Sequence, residues 1–319
     1  MTSGWAGRSW PSLTVGEEVA AGVLGPLRVT VDGRSFGSWD FGGRKPKQIV
    51  EILLVHQGEP VAKDRIADLL WGEALPRDPV ATLEAYVSGL RARLHPDGRR
   101  ARAVLRSEPA AYRFALDGAS FDLWEFDELG ARAARAPAGE AADLRQQALA
   151  FVRGDVVADE PYADWALPLR ELYRERHIEM VLDAARDLLL AGDAAAALQL
   201  AEHVGADHPT RERAYRLIMT ARYALGDQDL ALQTYDRCRR AMIEHLGVDP
   251  LPDTERIYLG VLDQEPLDHL LGAPPPRAAA TANGPRRRGS PVTSSSSRSR
   301  SRPRTRRHGS GSAGTCGSR

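Results

Sequence analysis

The segment Asp78 to Leu94 constrains this 319-residue chain more than any other. Asp78 suits a helix N-cap, because its carboxylate can accept a backbone N–H of the first turn. Pro79 follows at the first helical position, where a missing N–H removes a donor that has no intrahelical partner. Leu83, Val87, Leu90 and Leu94 then recur at steps of four, three and four. That spacing predicts one apolar stripe on a helix of about four turns. With the stripe turned inward, the outward face is Ala81, Ala85, Ser88 and Ala92. Thr82, Gly89 and Arg93 flank it on one side, Glu84 and Arg91 on the other.

The flanking sequence tells what this helix packs with. Leu27, Val29 and Val31 alternate within residues 23–33 and end at Asp32-Gly33, a strand closed by a tight turn. A second strand is predicted from Ser35 to Phe41. Lys47 to His56 and Lys63 to Trp71 read as helices, stopped by Gly58 and Gly72. Val104–Ser107 and Tyr112–Leu116, around Pro109-Ala110-Ala111, read as a hairpin. Strands, three helices and a hairpin are the order of a winged helix, expected over residues 23–118.

From Phe121 to about Leu271 the pattern is helical, with a repeat at 34 residues. Leu189, Gly192, Asp193, Ala197 and Leu198 become Tyr223, Gly226, Asp227, Ala231 and Leu232. That period belongs to tetratricopeptide-like helical hairpins. The expected fold is therefore mainly α: a winged helix-turn-helix followed by an all-α repeat domain over residues 119–272. Residues 1–22 and the Arg/Ser-rich residues 273–319 are expected to be disordered for want of core-forming composition.

Charge is distributed unevenly although the chain carries 43 basic and 43 acidic residues. Residues 119–272 hold 16 Arg against 29 acids, a net of −13, and residues 273–319 hold 11 Arg and no acid. Such asymmetry speaks to partners, and an acidic repeat domain should meet proteins and repel DNA. Two cysteines, Cys238 and Cys316, make neither a disulfide framework nor a zinc site, and Cys238 reads as a small core residue. No lysine follows a glycine, so no phosphate-binding GxxxxGK[ST] loop exists, and HExxH is missing too. The expectation is a non-enzyme without cofactor, metal or catalytic residues. No apolar run reaches the ~18 residues of a membrane span, and no secretory signal opens the chain, so a cytoplasmic location is expected.

Leu70-Trp71-Gly72, Tyr86-Val87-Ser88 and Leu90-Arg91-Ala92-Arg93-Leu94 resemble the SARP family, the Streptomyces antibiotic regulatory proteins. Tyr112-Arg113-Phe114 resembles the end of an OmpR-like wing. Pro161-Tyr162-Ala163-Asp164-Trp165-Ala166, Leu217-Ile218-Met219, Tyr235 and Leu246-Gly247-Val248-Asp249-Pro250 resemble the bacterial transcriptional activator domain. The resemblance implies a regulator that binds double-stranded DNA as a homodimer on direct-repeat promoter sites and recruits RNA polymerase holoenzyme. It further implies activation of a secondary-metabolite, antibiotic gene cluster.

An α-helix fills the major groove and reads bases with donors and acceptors on its outward face. Thr82 and Ser88 can hydrogen-bond base or phosphate, and Arg91, Arg93, Arg106 and Arg113 can reach phosphates or a guanine edge. These six are the expected DNA-binding residues. Relatives implied by the resemblance carry further basic residues where this chain has Glu84, Gly89 and Ala92, an Arg at Glu108 and a glycine at Ala111. Arg99, Arg100 and Arg102 lie where they could compensate. Those departures leave open an alternative of a different class, a protein-binding scaffold whose winged helix no longer reads DNA.

Overall fold

Val29 and Val31 face one side of an extended segment and are buried, as alternation requires of a strand with one covered face. In the computed structural model, which describes residues 19–95 and 104–272, this strand is β2, Arg28–Val31. It lies between β1, Val19–Gly22, and β3, Arg34–Phe36, antiparallel to both. A short β7, Ser120–Phe121, pairs parallel with the other edge of β1. The expected disordered start at residues 1–22 is therefore corrected at Val19, while residues 1–18 lie outside the described residues. Val19-Ala20-Ala21-Gly22 has no large alternating side chains to announce a strand. Its conformation comes from two neighbours, one of them about a hundred residues away in sequence.

Three helices follow the first sheet. Helix α1, Arg44–Val55, begins three residues before the expected start, since Pro46 is tolerated in a first turn. Helix α2, Lys63–Trp71, matches the reading, and α3, Pro79–Leu94, does so at both ends. Strand β4, Val61–Ala62, joins the wing hairpin of β5, Leu105–Glu108, and β6, Ala111–Phe114, in the order β4-β6-β5. Pairing of Glu108 with Ala111 leaves a two-residue turn, Pro109-Ala110. Ala110 takes φ 58°, a left-handed conformation in which glycine would be unstrained.

The remaining helices form a stacked array. They are α4, Asp122–Ala133; α5, Ala138–Leu149; α6, Leu167–Leu190; α7, Ala194–Asp207; α8, Glu212–Ala224; α9, Gln228–Leu246; α10, Pro252–Leu262; and α11, Leu267–Leu271. The 34-residue repeat falls on the turns α6–α7 and α8–α9, where Gly192 and Gly226 adopt nearly the same φ, 89° and 88°. Along α6, Glu175, Glu179, Asp183 and Asp187 recur every fourth residue and meet Arg145, Arg211 and Arg213 from α5 and the start of α8. Four of the domain's 29 acids are thus paired between its own helices. Cys238 packs with Tyr215, Ala241 and Met242, and burial pushes its thiol up to about 12.

Sequence divides the chain after residue 118; the tertiary structure does not. One apolar core runs from Ala21 to Ala221, through both halves, and the unit they form ends at Gly272. The join is built from backbone. Asp155 and Val23 carbonyls accept the N–H groups of Gly25 and Val157, and Leu24 and Gly25 carbonyls accept those of Arg153 and Ala158. A Cβ at Gly25, whose φ is 122°, would stand 2.8 Å from the Cβ of Arg153, so only glycine admits this approach. At the first turn of α4, the buried Asp122 carboxylate accepts the N–H groups of Val23 and Leu24 at 3.0 and 2.7 Å.

Candidate nucleic-acid interface

The geometry of this candidate site begins with the cap on α3. Asp78 accepts the Ala81 N–H at 2.9 Å, and Leu83, Val87, Leu90 and Leu94 are buried beneath the helix. Ala81, Ala85, Ser88 and Ala92, the outward face read from the spacing, are exposed, and so is Gly89 on its flank. Thr82 is half-buried, and its hydroxyl donates back to the Asp78 carbonyl at 2.7 Å. Ser88 therefore carries the open hydrogen-bonding group in the middle of this face.

The four expected arginines each have a place within the protein. Arg91 donates to the Leu105 carbonyl from Nε at 3.0 Å and from Nη2 at 2.7 Å, and from Nη2 to the Ser107 hydroxyl at 2.8 Å. Arg93 lies over the loop before α1, close enough that a Cβ on Gly42 would meet its Nε at 2.5 Å. Arg106 and Arg113 stand opposite each other across the wing strands. Arg106 pairs with Asp117 at 2.9 Å, and Arg113 with Glu108 at 3.1 Å and Asp117 at 4.0 Å. Like charges directly opposite in a hairpin repel, and Asp117 beside both relieves this. Arg99, Arg100 and Arg102 lie outside the described residues.

One cation near this face was not singled out by sequence. Lys63, at the start of α2, reaches Glu84 on α3 at 2.5 Å and lies 5.2 Å above the Tyr112 ring. The hydrogen bond to Glu84 raises its pKa. The acid standing where the resemblance implies a base is thus half of an ion pair between two helices.

Behind the interface, α1 carries a buried charge cluster. The ammonium of Lys47 meets Asp159 at 2.8 Å, Glu160 at 2.9 Å and Glu51 at 3.3 Å. Arg44 and Gln48 also donate to Glu160, each at 2.9 Å. Burial, reinforced by Asp159, pushes the Glu51 carboxyl up to about 8. Lys47, Gln48 and Glu51 inside an otherwise apolar helix were the signal in the sequence; what they meet was not.

A family described as "Transcriptional regulatory protein, C terminal" matches residues 43–114, and one described as "Bacterial transcriptional activator domain" matches residues 121–262. Together they span the winged helix and the helical array in the expected order. The chain belongs to the SARP family. Among its relatives is the regulatory protein AfsR of Streptomyces coelicolor, 34% identical over 269 residues, covering 82% of this chain and 26% of AfsR. Transcriptional regulatory protein EmbR of Mycobacterium tuberculosis is 31% identical over 261 residues, covering 81% of this chain and 66% of EmbR. A solved structure of EmbR in complex with a low-affinity phosphopeptide superposes with TM-score 0.71 at 28% identity, covering 80% of this SARP chain and 67% of that one. The chain thus spans about two thirds of EmbR and a quarter of AfsR. EmbR is named as a transcriptional regulatory protein and AfsR as a regulatory protein, neither as an enzyme. Among the described residues, no group of three His, Cys, Asp or Glu could hold a metal ion. No described helix is long and apolar enough to cross a membrane.

Proposed function

We propose that this protein is a sequence-specific, double-stranded-DNA-binding activator of transcription. On this reading α3 is the recognition helix, and Thr82, Ser88, Arg91, Arg93, Arg106 and Arg113 serve DNA binding around it, by contact or by holding the groups that make contact. The observation that carries the reading is the open face of α3, Ala81, Ala85, Ser88, Gly89 and Ala92, beside a wing that carries Arg106 and Arg113. Small side chains let a helix sit deep in the major groove, where alanine methyls meet thymine methyls and a serine hydroxyl meets base edges or phosphate. Phosphate can replace Asp117 between the two wing arginines. The chain works as a homodimer on direct repeats, recruits RNA polymerase holoenzyme to a promoter and switches on a secondary-metabolite gene cluster, in the cytoplasm. Its repeat domain makes the protein contacts.

The test is enrichment of duplex DNA from a random-sequence library by the full chain, followed by binding to the DNA upstream of its own gene. A repeated half-site, bound much more tightly than random DNA, is the expected result. Binding no tighter than to random duplex would defeat the reading.

A second reading is favoured by the engagement of the basic groups. Arg91, Arg106 and Arg113 all bond within the protein, and Glu84 stands on the margin of the reading face. A winged helix so occupied suits a protein-binding scaffold, which the same library experiment would reveal by failing to enrich any sequence.

A further inference from the structure

Strand β5 is the edge of the wing sheet, so a carbonyl pointing away from β6 has no strand to receive it. At Leu105 the Arg91 guanidinium fills that role with two N–H groups, and it spans on to Ser107 two residues further along the same edge. It lies also 5.9 Å from the centre of the Tyr112 ring on β6, the ring that Lys63 approaches at 5.2 Å. Other ties of the wing run to α2 and its preceding strand, and β6 packs against α1 as well. Two residue pairs join β4 to β6, and the Lys63 N–H donates to the Ala110 carbonyl at 2.8 Å. Arg91 thus supplies hydrogen bonds from the recognition helix itself to the wing.

We propose that Arg91 is a positioning residue, which fixes the wing at one distance and angle from α3 and serves DNA binding through the wing instead of by contact with phosphate or base. This rests on the DNA-binding reading above. Its chemistry is that of a planar fork. A guanidinium can hold a carbonyl and a hydroxyl at once in fixed directions, whereas an ammonium is a point charge on a flexible stem. Lysine would therefore keep the charge and lose the clamp. A phosphate contact behaves the other way, since lysine serves a phosphate as a charge.

The experiment uses the full chain as wild type, Arg91→Lys, Arg91→Met and Ser107→Ala, with thermal unfolding followed by circular dichroism to confirm folding. The first readout needs no DNA. Hydrogen exchange of the wing amides, residues 105–108 and 111–114, should quicken about tenfold or more in both Arg91 variants through easier local opening, with α3 unchanged. Ser107→Ala, which removes one bond without touching α3, should move the same amides less. Wing exchange equal to wild type in Arg91→Lys would overturn the proposal.

The second readout is affinity against salt, on the duplex that the wild-type chain enriches from a random library. Both Arg91 variants should weaken binding alike, with the same slope of log K against log salt in the two. Near-wild-type affinity in Arg91→Lys, or a slope lower by about 0.9 in Arg91→Met than in Arg91→Lys, would assign Arg91 to a phosphate and overturn the proposal. If no duplex is enriched, the DNA-binding reading falls, and the exchange of the wing amides alone decides whether Arg91 is the clamp.

Discussion

Lys47 of α1 and Glu160 of the helical half meet at 2.9 Å, both side chains less than a tenth exposed. They join the segment that carries α3 to the segment that carries the repeats. The orientation of one against the other is therefore held by charges out of reach of solvent, in addition to the backbone bonds at Gly25 and Val157. A regulator so built presents its repeat array at a fixed place relative to whatever α3 binds.

Lys47→Met should test that join. It leaves Glu160 with Arg44 and Gln48, and Asp159 with the Leu27 N–H but without its ammonium, and breaking a buried pair by removing one partner costs ~3–5 kcal/mol. Because one core runs through both halves, a single cooperative unfolding transition should shift to lower temperature. Two separated transitions in the wild-type chain, by calorimetry, would contradict a shared core.

Glu51 gives the join a pH dependence of known sign. Its pKa is raised from 4.5 to about 8 by burial. The folded state then binds the proton more tightly than the unfolded state does, so stability falls as pH rises between these values. The contribution is whole below about 4.5 and lost once pH has passed about 8. Asp122, raised to about 6, adds the same sign over a lower window. Glu51→Gln should flatten urea-unfolding stability between pH 5 and pH 9, most visibly at the alkaline end. A mutant with the wild-type pH profile would show that Glu51 is ionised throughout.

Leu90 and Ser88 separate support from recognition on the same helix. Leu90→Ala opens a cavity under α3 and should cost ~2–5 kcal/mol, removing DNA binding by unfolding. Ser88 is exposed, so Ser88→Ala should leave the melting temperature nearly unchanged and alter which duplexes are enriched. Equal melting curves for the two variants would reverse the assignment of faces.

Asp117 should act as an internal competitor for phosphate. Removing its charge with Asp117→Asn takes away the acid that Arg106 and Arg113 share, while Glu108 stays beside Arg113. A loss of no more than ~1 kcal/mol in stability is expected for so exposed a pair. Affinity for duplex DNA at low salt should rise, with a steeper salt slope, measured by fluorescence anisotropy. Unchanged affinity and slope would take the wing arginines out of the interface.

The helices from residue 44 to 94 and the repeat turns were legible in the sequence because capping, apolar periodicity and left-handed glycines act within a few residues. Asp78, the stripe from Leu83 to Leu94, and the pair Gly192 and Gly226 needed no distant neighbour to be read. Residues 19–22 had no such local signature, and only pairing with β2 and β7 made them a strand. The partners of the charged residues were equally out of reach of the sequence. Arg44 and Lys47 find theirs more than a hundred positions away, and Arg91, legible as a cation on a solvent-facing helix margin, finds its own on the wing edge. Periodicity says which face of a helix is buried; it does not say which carbonyl or carboxylate the fold brings to the other face. That was decided by tertiary packing, because a charged side chain takes its partner from whatever the fold places within about 3 Å of its tip.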